Sequence, residues 1–299
     1  MPDTRRVAPP RYRGGVTAIE VPSGIKLFAT DLDGTLLLPG GGVGDRTREA
    51  LNALADTGVH IVFVTGRPPR WIHPVADATD HHGVAIGANG AVIIDMQAEI
   101  LTKVRAMAPE NALAAANALR AISPDVDFAV EYGIEGRPVS ESFFAIGKGY
   151  TPRWEVPEHL EVDDADVLLN RSGITKLLAR PEGDHSHDAD SYLAAAMDAL
   201  AGLVETTHSN PDDVLLEMSA HGVTKGSTLR MVAEELGIAA HEVAAVGDMP
   251  NDIPMLLWAG ASYAVADAHP AAKSAAGSVI GPNSAESVAD LIEAILAAQ

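Results

Sequence analysis

Short aliphatic runs alternate with amphipathic stretches over much of this chain. "IKLFAT" (25–30) and "VHIVFVTG" (59–66) are apolar on both faces and predict buried strands. Between them "DRTREALNALADTG" (45–58) carries apolar residues at helical spacing and ends at Gly58, a helix stop. "RWIHPVADATDHHG" (70–83) predicts a second, less regular helix, and "GVAIGANGAVIID" (83–95) a third strand with a turn at Asn89-Gly90. Such alternation predicts an α/β fold: a Rossmann-like, doubly wound, mostly parallel sheet with helices on both faces.

The pattern changes at about residue 104. A helical stretch at 109–122 precedes short extended runs, "VDFAVEY", "SFFAIG", "VLLN" and "ITKLLAR", then a helix at 189–202 and the extended "LVETTHS". Strands and helices without strict alternation predict a smaller α+β module over 104–212. Its charged, Pro-containing connections, "YTPRWEVPEHLEVDDAD" and "RPEGDHSHDAD", read as surface loops. From 213 alternation resumes through "KGSTLRMVAEELG", "VAAVGD", "NDIPMLLWAG", "SYAVA" and "AESVADLIEAILAA". The expected organisation is a core of 23–103 and 213–299 interrupted by an insert at 104–212. Residues 1–22, with Arg5, Arg6, Arg11 and Arg13 among Pro and Gly, read as a disordered tail.

Composition narrows the function. Hydrophobic residues make up 47 % and charged ones 21 %, which is globular, and with 4 % aromatics the core must be mainly Ala, Val, Ile and Leu. A formal charge of −20 argues against nucleic acid as partner. Cysteine is absent, so disulfides, thiol nucleophiles and thiolate metal sites are excluded, and a reducing compartment, the cytoplasm, is expected. No 18-residue apolar run suggests a membrane span.

Three expected strand ends finish in polar residues: "FATDLDGT" with Asp31 and Asp33, "VFVTGR" with Thr65, Gly66 and Arg67, and "AAVGDMPND" with Asp248, Asn251 and Asp252. Ligands of open parallel sheets bind beyond the carboxyl ends of the strands, so three such ends could line one site. "GVTKG" places Lys225 at a helix start within reach of that crevice. Residues two apart in a strand share a side, so Asp31 and Asp33 are expected to converge, with Asp248 as a third acid. That charge needs a cation. Mg²⁺ suits, as a hard ion held by one or two carboxylates plus substrate phosphate. With Lys225 it would make a locally positive pocket in an acidic protein.

Taken singly, each segment has a plainer reading. Asp-x-Asp-Gly is commonly a turn, "VTGR" a strand-to-helix connection, a helix-opening Lys a solvated group, and "GDMPND" a cap. Their joint order carries the argument. The Gly-rich "LPGGGVG" (38–44) lacks the Lys-Ser/Thr of a P-loop and reads as a hairpin. His81, His82, His185 and His187 read as solvated loop residues, and the "NRS" at Asn170 as an idle sequon.

With "DLDGTLL", "VFVTGR", "GVTKG" and "GDMPND" in this order, the chain resembles the haloacid dehalogenase superfamily over 24–299. The insert and "GANGA" resemble its Cof-type, C2-capped (subclass IIB) sugar-phosphatase branch. The resemblance implies a Mg²⁺-dependent phosphatase of small phosphorylated metabolites, sugar phosphates among them, working through an aspartyl phosphate. Asp31 would be the nucleophile and Asp33 the general acid and base. Thr65 and Lys225 would hold the phosphoryl group, with Gly66, Arg67 and Asn251 nearby. Asp31, Asp33 (through its carbonyl) and Asp248 would bind the metal, and Asp252 would support them. The insert would be a cap that chooses the leaving group, a small-molecule phosphate ester.

Other readings remain at this point. A phosphomutase or a specialised sugar-phosphate phosphatase would share the segments, and a non-catalytic descendant would only bind a phosphorylated ligand. A response-regulator receiver also gathers acids, Thr and Lys around Mg²⁺, but in a different order and on a shorter chain. Arg137, Lys148, Arg153, Arg171 and Lys176 in the insert read as solvated cations.

Overall fold

The computed structural model describes residues 19–154, 156, 160–181, 189–207 and 214–299. The arginines of the expected tail, and His185 and His187, lie outside the described residues.

In chain order the strands are β1 (Leu27–Thr30), β2 (His60–Val64), β3 (Val84–Gly87), β4 (Val92–Asp95), β5 (Ile100–Val104), β6 (Val126–Tyr132), β7 (Phe143–Gly147), β8 (Glu161–Asp163), β9 (Ile174–Pro181), β10 (Val204–Thr207), β11 (Leu216–Ala220), β12 (Val243–Gly247), β13 (Ala261–Ala264) and β14 (Ser278–Val279). The helices are α1 (Asp45–Asp56), α2 (His73–Thr79), α3 (Pro109–Ile122), α4 (Ala165–Leu169), α5 (Ala189–Leu200), α6 (Lys225–Glu235), α7 (Ile253–Trp258), α8 (Pro270–Ala275) and α9 (Ser287–Ala297). Among the described residues, no helix is long and apolar enough to cross a membrane.

The first sheet runs β14-β13-β12-β1-β2-β3-β4-β5. It is parallel from β14 to β3, and β4 and β5 continue it as antiparallel strands. From β1 the chain steps one way to β3, and from β12 it steps the other way to β14. Right-handed crossovers therefore lay the two sets of helices on opposite faces. α1 packs on α9 and α2, while α6 packs on α7, and α7 on α8. The order reverses between β1 and β12, whose residues pair from Leu27–Val243 to Thr30–Val246. That reversal is the switch point beside which a ligand crevice opens.

The second sheet runs β10-β11-β9-β6-β7-β8 and is antiparallel except where β7 meets β8. Its strands alternate with period two. Phe128 and Val130, Leu177 and Ala179, and Leu216 and Met218 join the helix-side core with Ala112, Ala116 and Ala196. The interleaved positions, including Glu131, Lys176, Leu178 and Glu217, belong to the other face.

Two local readings differ. "VLLN" was expected to be extended, yet Val167–Leu169 lie in α4, where Leu168 and Leu169 reach the core as helical neighbours. The second sheet also extends past residue 212, because β11 pairs with β9 and β10. Apolar strands of both sheets look alike in sequence, and pairing alone tells them apart.

Candidate active site

Asp31 follows β1 directly and donates its backbone N–H to the Val246 carbonyl at 3.0 Å, which ties it to β12. Asp248 follows β12 and accepts a hydrogen bond from the Thr35 hydroxyl at 2.9 Å. Gly34, in the turn after Asp31, has φ +78, and a Cβ there would lie 2.3 Å from Asp248 Oδ2. A side chain at 34 would collide with the carboxylate and strain the backbone as well.

Lys225 is the first residue of α6, whose N-terminus is fixed by a capping box between Thr224 and Ser227. Its side chain is buried, with Nζ 2.6 Å from Asp31 Oδ1 and 2.6 Å from Asp252 Oδ1. Asp252 Oδ2 accepts the backbone N–H groups of Asp248 and Met249, each at 2.9 Å. Asp252 is thus engaged on both oxygens, and it anchors the lysine to the β12 turn.

One carboxylate oxygen each of Asp31, Asp248 and Asp252 lies within 4.8 Å of the others. Burial pushes Asp31 well above the ordinary carboxylate range; the pull of Lys225 opposes this, and Asp252 and Asp248 reinforce it. Asp248 is pushed up to about 7, by burial first and then by Asp252. Burial alone would lower the Lys225 ammonium, but its two carboxylates outweigh that and hold it above its ordinary value. One lysine among three acids leaves the cluster short of positive charge. Hard oxygen donors with that deficit fit a hard divalent cation.

The structure corrects one expectation. Asp33 does not converge with Asp31, because β1 ends at Thr30 and the strand alternation lapses in the turn. Its side chain is 59 % exposed and bound by Arg67, Nε to Oδ2 at 2.7 Å and Nη2 to Oδ1 at 2.6 Å. Arg67 Nη1 donates to the Trp71 carbonyl at 3.3 Å. Asp252 takes the third place in the carboxylate cluster instead.

Thr65 is buried at the end of β2, and its hydroxyl accepts the Arg67 backbone N–H at 3.0 Å. Asn251 donates through Nδ2 to Asn89 Oδ1 at 3.0 Å, and its own Oδ1 finds no donor among the described residues. Asn89 donates through Nδ2 to Glu217 Oε2 at 2.9 Å.

These groups surround a cavity of about 540 Å³ lined by Asp31, Asp33, Thr65, Gly66, Arg67 and Asn251 on the first-sheet side. Glu131, Lys176, Leu178, Leu215, Glu217 and Trp154 line the second-sheet side. Lys176, read as solvated, is buried and donates to Glu217 and to the Gly66 carbonyl. Arg70 binds Glu131, with Nη2 2.9 Å from Oε1, and burial raises the Glu131 carboxyl against that pull. Arg137, Lys148 and Arg171 lie in ion pairs with Glu141, Asp164 and Glu161. Glu131, Glu217 and Asn89 were missed in the sequence. The signal was there: "VDFAVEY", "ITKLLAR" and "LLEMSA" each carry a charged residue inside an apolar strand. His81 also differs from expectation, since it packs edge-on against Phe63 with ring centroids 5.2 Å apart.

A family model described as haloacid dehalogenase-like hydrolase matches residues 28–292. The 5-amino-6-(5-phospho-D-ribitylamino)uracil phosphatase YcsE of Bacillus subtilis is 25 % identical over 278 residues, covering 90 % of this chain and 94 % of that one. The HMP-PP phosphatase of Enterobacter sp. is 28 % identical, covering 82 % and 85 %. Among solved structures, the phosphatase BT1666 of Bacteroides thetaiotaomicron superposes with a TM-score of 0.72 at 25 % identity, covering 92 % of this chain and 98 % of that one. The chain belongs to the haloacid dehalogenase-like hydrolase family.

Proposed function

We propose that this haloacid dehalogenase-like hydrolase is a Mg²⁺-dependent phosphomonoesterase of small phosphorylated metabolites, sugar phosphates among them. The observation that carries the reading is Asp31: a buried carboxylate at the switch point, held by a lysine and facing the cavity. Similarity to named phosphatases over nearly the full chain supports it.

Asp31 and Asp248, with the Asp33 backbone carbonyl, would hold the ion, and Asp252 would brace them. Bound there, Mg²⁺ supplies positive charge that screens an anionic nucleophile from an anionic ester.

An Asp31 oxygen attacks phosphorus, the bond to the leaving oxygen breaks, and Asp33 gives that oxygen its proton. An aspartyl phosphate and a free alcohol result. Asp33, now a carboxylate, takes a proton from water as the water oxygen attacks phosphorus; the bond to Asp31 breaks and inorganic phosphate leaves. Two displacements replace one difficult one. Lys225 and Thr65 provide the positive charge and hydrogen-bond donor that the equatorial oxygens need. Asp33 lines the cavity with both oxygens on Arg67, so to act as the acid it has to turn out of that pair and take up the proton it gives. The second sheet acts as the cap over the leaving group. A chain without cysteine suits the cytoplasm as its place of work.

Phosphate release from p-nitrophenyl phosphate, with Mg²⁺ and with EDTA, tests the reading. Turnover is expected with Mg²⁺ alone, and Asp31→Asn is expected to abolish it while the protein still melts cooperatively. Unchanged turnover in that variant would remove Asp31 from the nucleophile's role.

A further inference from the structure

We infer that the leaving-group end of this cavity selects monophosphates whose remaining part is uncharged, and discriminates against substrates with a second anionic group. The inference rests on the phosphatase reading and narrows its substrate class.

The cavity wall holds Asp31, Asp33, Glu131 and Glu217 against the cations Arg67 and Lys176. Each of these cations already has a carboxylate. Arg67 is clamped on Asp33 through two hydrogen bonds, and Lys176 lies on Glu217. Arg70, which approaches the wall beside Trp71, is held on Glu131 by two more. Lys225 lies behind Asp31, between two acids. Register enforces the arrangement: Glu131 on β6 pairs directly with Lys176 on β9, and β11 brings Glu217 alongside.

A second phosphate or a carboxylate on the leaving group would meet Glu131 and Glu217, both 4 % exposed. Among the described residues, Arg70 and Lys176 are the cations that touch these two carboxylates, and drawing either from its partner would leave a buried carboxylate uncompensated. Breaking such a pair weakens binding on the order of 10²–10³-fold. An uncharged polyol meets no such conflict. Its hydroxyls can donate to the carboxylates, and its C–H faces can rest on Trp71, Trp154, Leu178 and Leu215. The transferred phosphoryl group is served separately, at the other end, by Lys225, Thr65 and the cation site.

Matched substrates that differ by one anionic group test the inference: glucose 6-phosphate against 6-phosphogluconate, and 2-hydroxyethyl phosphate against phosphoglycolate. The test is run on the full chain with Mg²⁺ and with p-nitrophenyl phosphate as reference. The neutral member of each pair is expected to have the higher kcat/KM, by about tenfold or more. Glu131→Gln and Glu217→Gln each release one cation, and in either variant the ratio is expected to shrink severalfold toward the anionic member. If the wild type turns over p-nitrophenyl phosphate yet handles the anionic members as well as the neutral ones, the inference is overturned and the phosphatase reading stands. If no substrate releases phosphate, both fall. A ratio unmoved in both variants, with wild-type selectivity present, would overturn the assignment to these carboxylates.

Discussion

Lys225 Nζ lies 2.6 Å from Asp31 Oδ1, with both side chains almost wholly buried. A lysine from the start of α6 thus neutralises an acid at the end of β1, 194 positions away in sequence. Removing it leaves Asp31 and Asp252 facing each other inside the protein. Lys225→Ala is expected to lower kcat by on the order of 10²–10³-fold, as loss of a charge-stabilising donor does. It is also expected to lower the melting temperature, since breaking a buried ion pair costs about 3–5 kcal/mol. Added Mg²⁺ should restore part of that loss. Steady-state kinetics and thermal melts with and without EDTA check both; a rate loss under threefold would make the lysine structural only.

Asp33 stands apart from the carboxylate cluster, and its proposed work is proton transfer. Asp33→Asn is expected to cost about 10²–10⁴-fold in kcat. The loss should be far smaller for p-nitrophenyl phosphate, whose leaving group departs without a proton, than for an alkyl phosphate. Equal losses on both substrates would argue against the acid role.

Asp248, pushed up to about 7 from an ordinary 3.8, makes stability depend on pH. Between those values the folded protein keeps a proton on Asp248 that the unfolded chain has released. Its contribution to stability is therefore full below about 4 and is lost as pH rises through about 7. Without metal, the wild type is expected to lose melting temperature over this window relative to Asp248→Asn, by a few degrees. Mg²⁺ should close the gap at pH 8 and hardly affect it at pH 5. Parallel melting profiles of the two proteins in EDTA would refute the assignment.

Gly34→Ala probes the space that Asp248 needs. The added methyl would overlap Asp248 Oδ2, and φ +78 disfavours any side chain there. The variant is expected to need at least tenfold more Mg²⁺ for half-maximal activity, with a folded protein by circular dichroism. An unchanged Mg²⁺ requirement would separate Asp248 from the ion.

The parts of this molecule legible in sequence are those set by neighbours along the chain. β1, β2 and β12 each end in the polar group that their motifs announce, and "GVTKG" sets Lys225 at the start of α6. What was not legible depends on partners far away. Nothing near Arg67 shows that it will close on Asp33 rather than on a phosphate. Nothing near Leu216 shows that its strand joins β9. Lys176 looked like an ordinary surface cation because its burial comes from Glu217 and Gly66, on segments separated from it by 41 and 110 positions.

The hydrogen bonds from Glu217 through Asn89 to Asn251 have a direction. A carboxylate only accepts, so Asn89 must turn its nitrogen to Glu217 and its oxygen to Asn251, which must answer with nitrogen in turn. The outline of an amide looks the same either way round, so its shape alone would not set that choice. One charge on the second sheet thereby dictates which atom Asn251 turns to Asn89 and which it leaves unpartnered among the described residues at the cavity wall. If that sheet moved away, both amides would be free to flip together, and the cavity wall would lose the order of its donors and acceptors before it lost any residue.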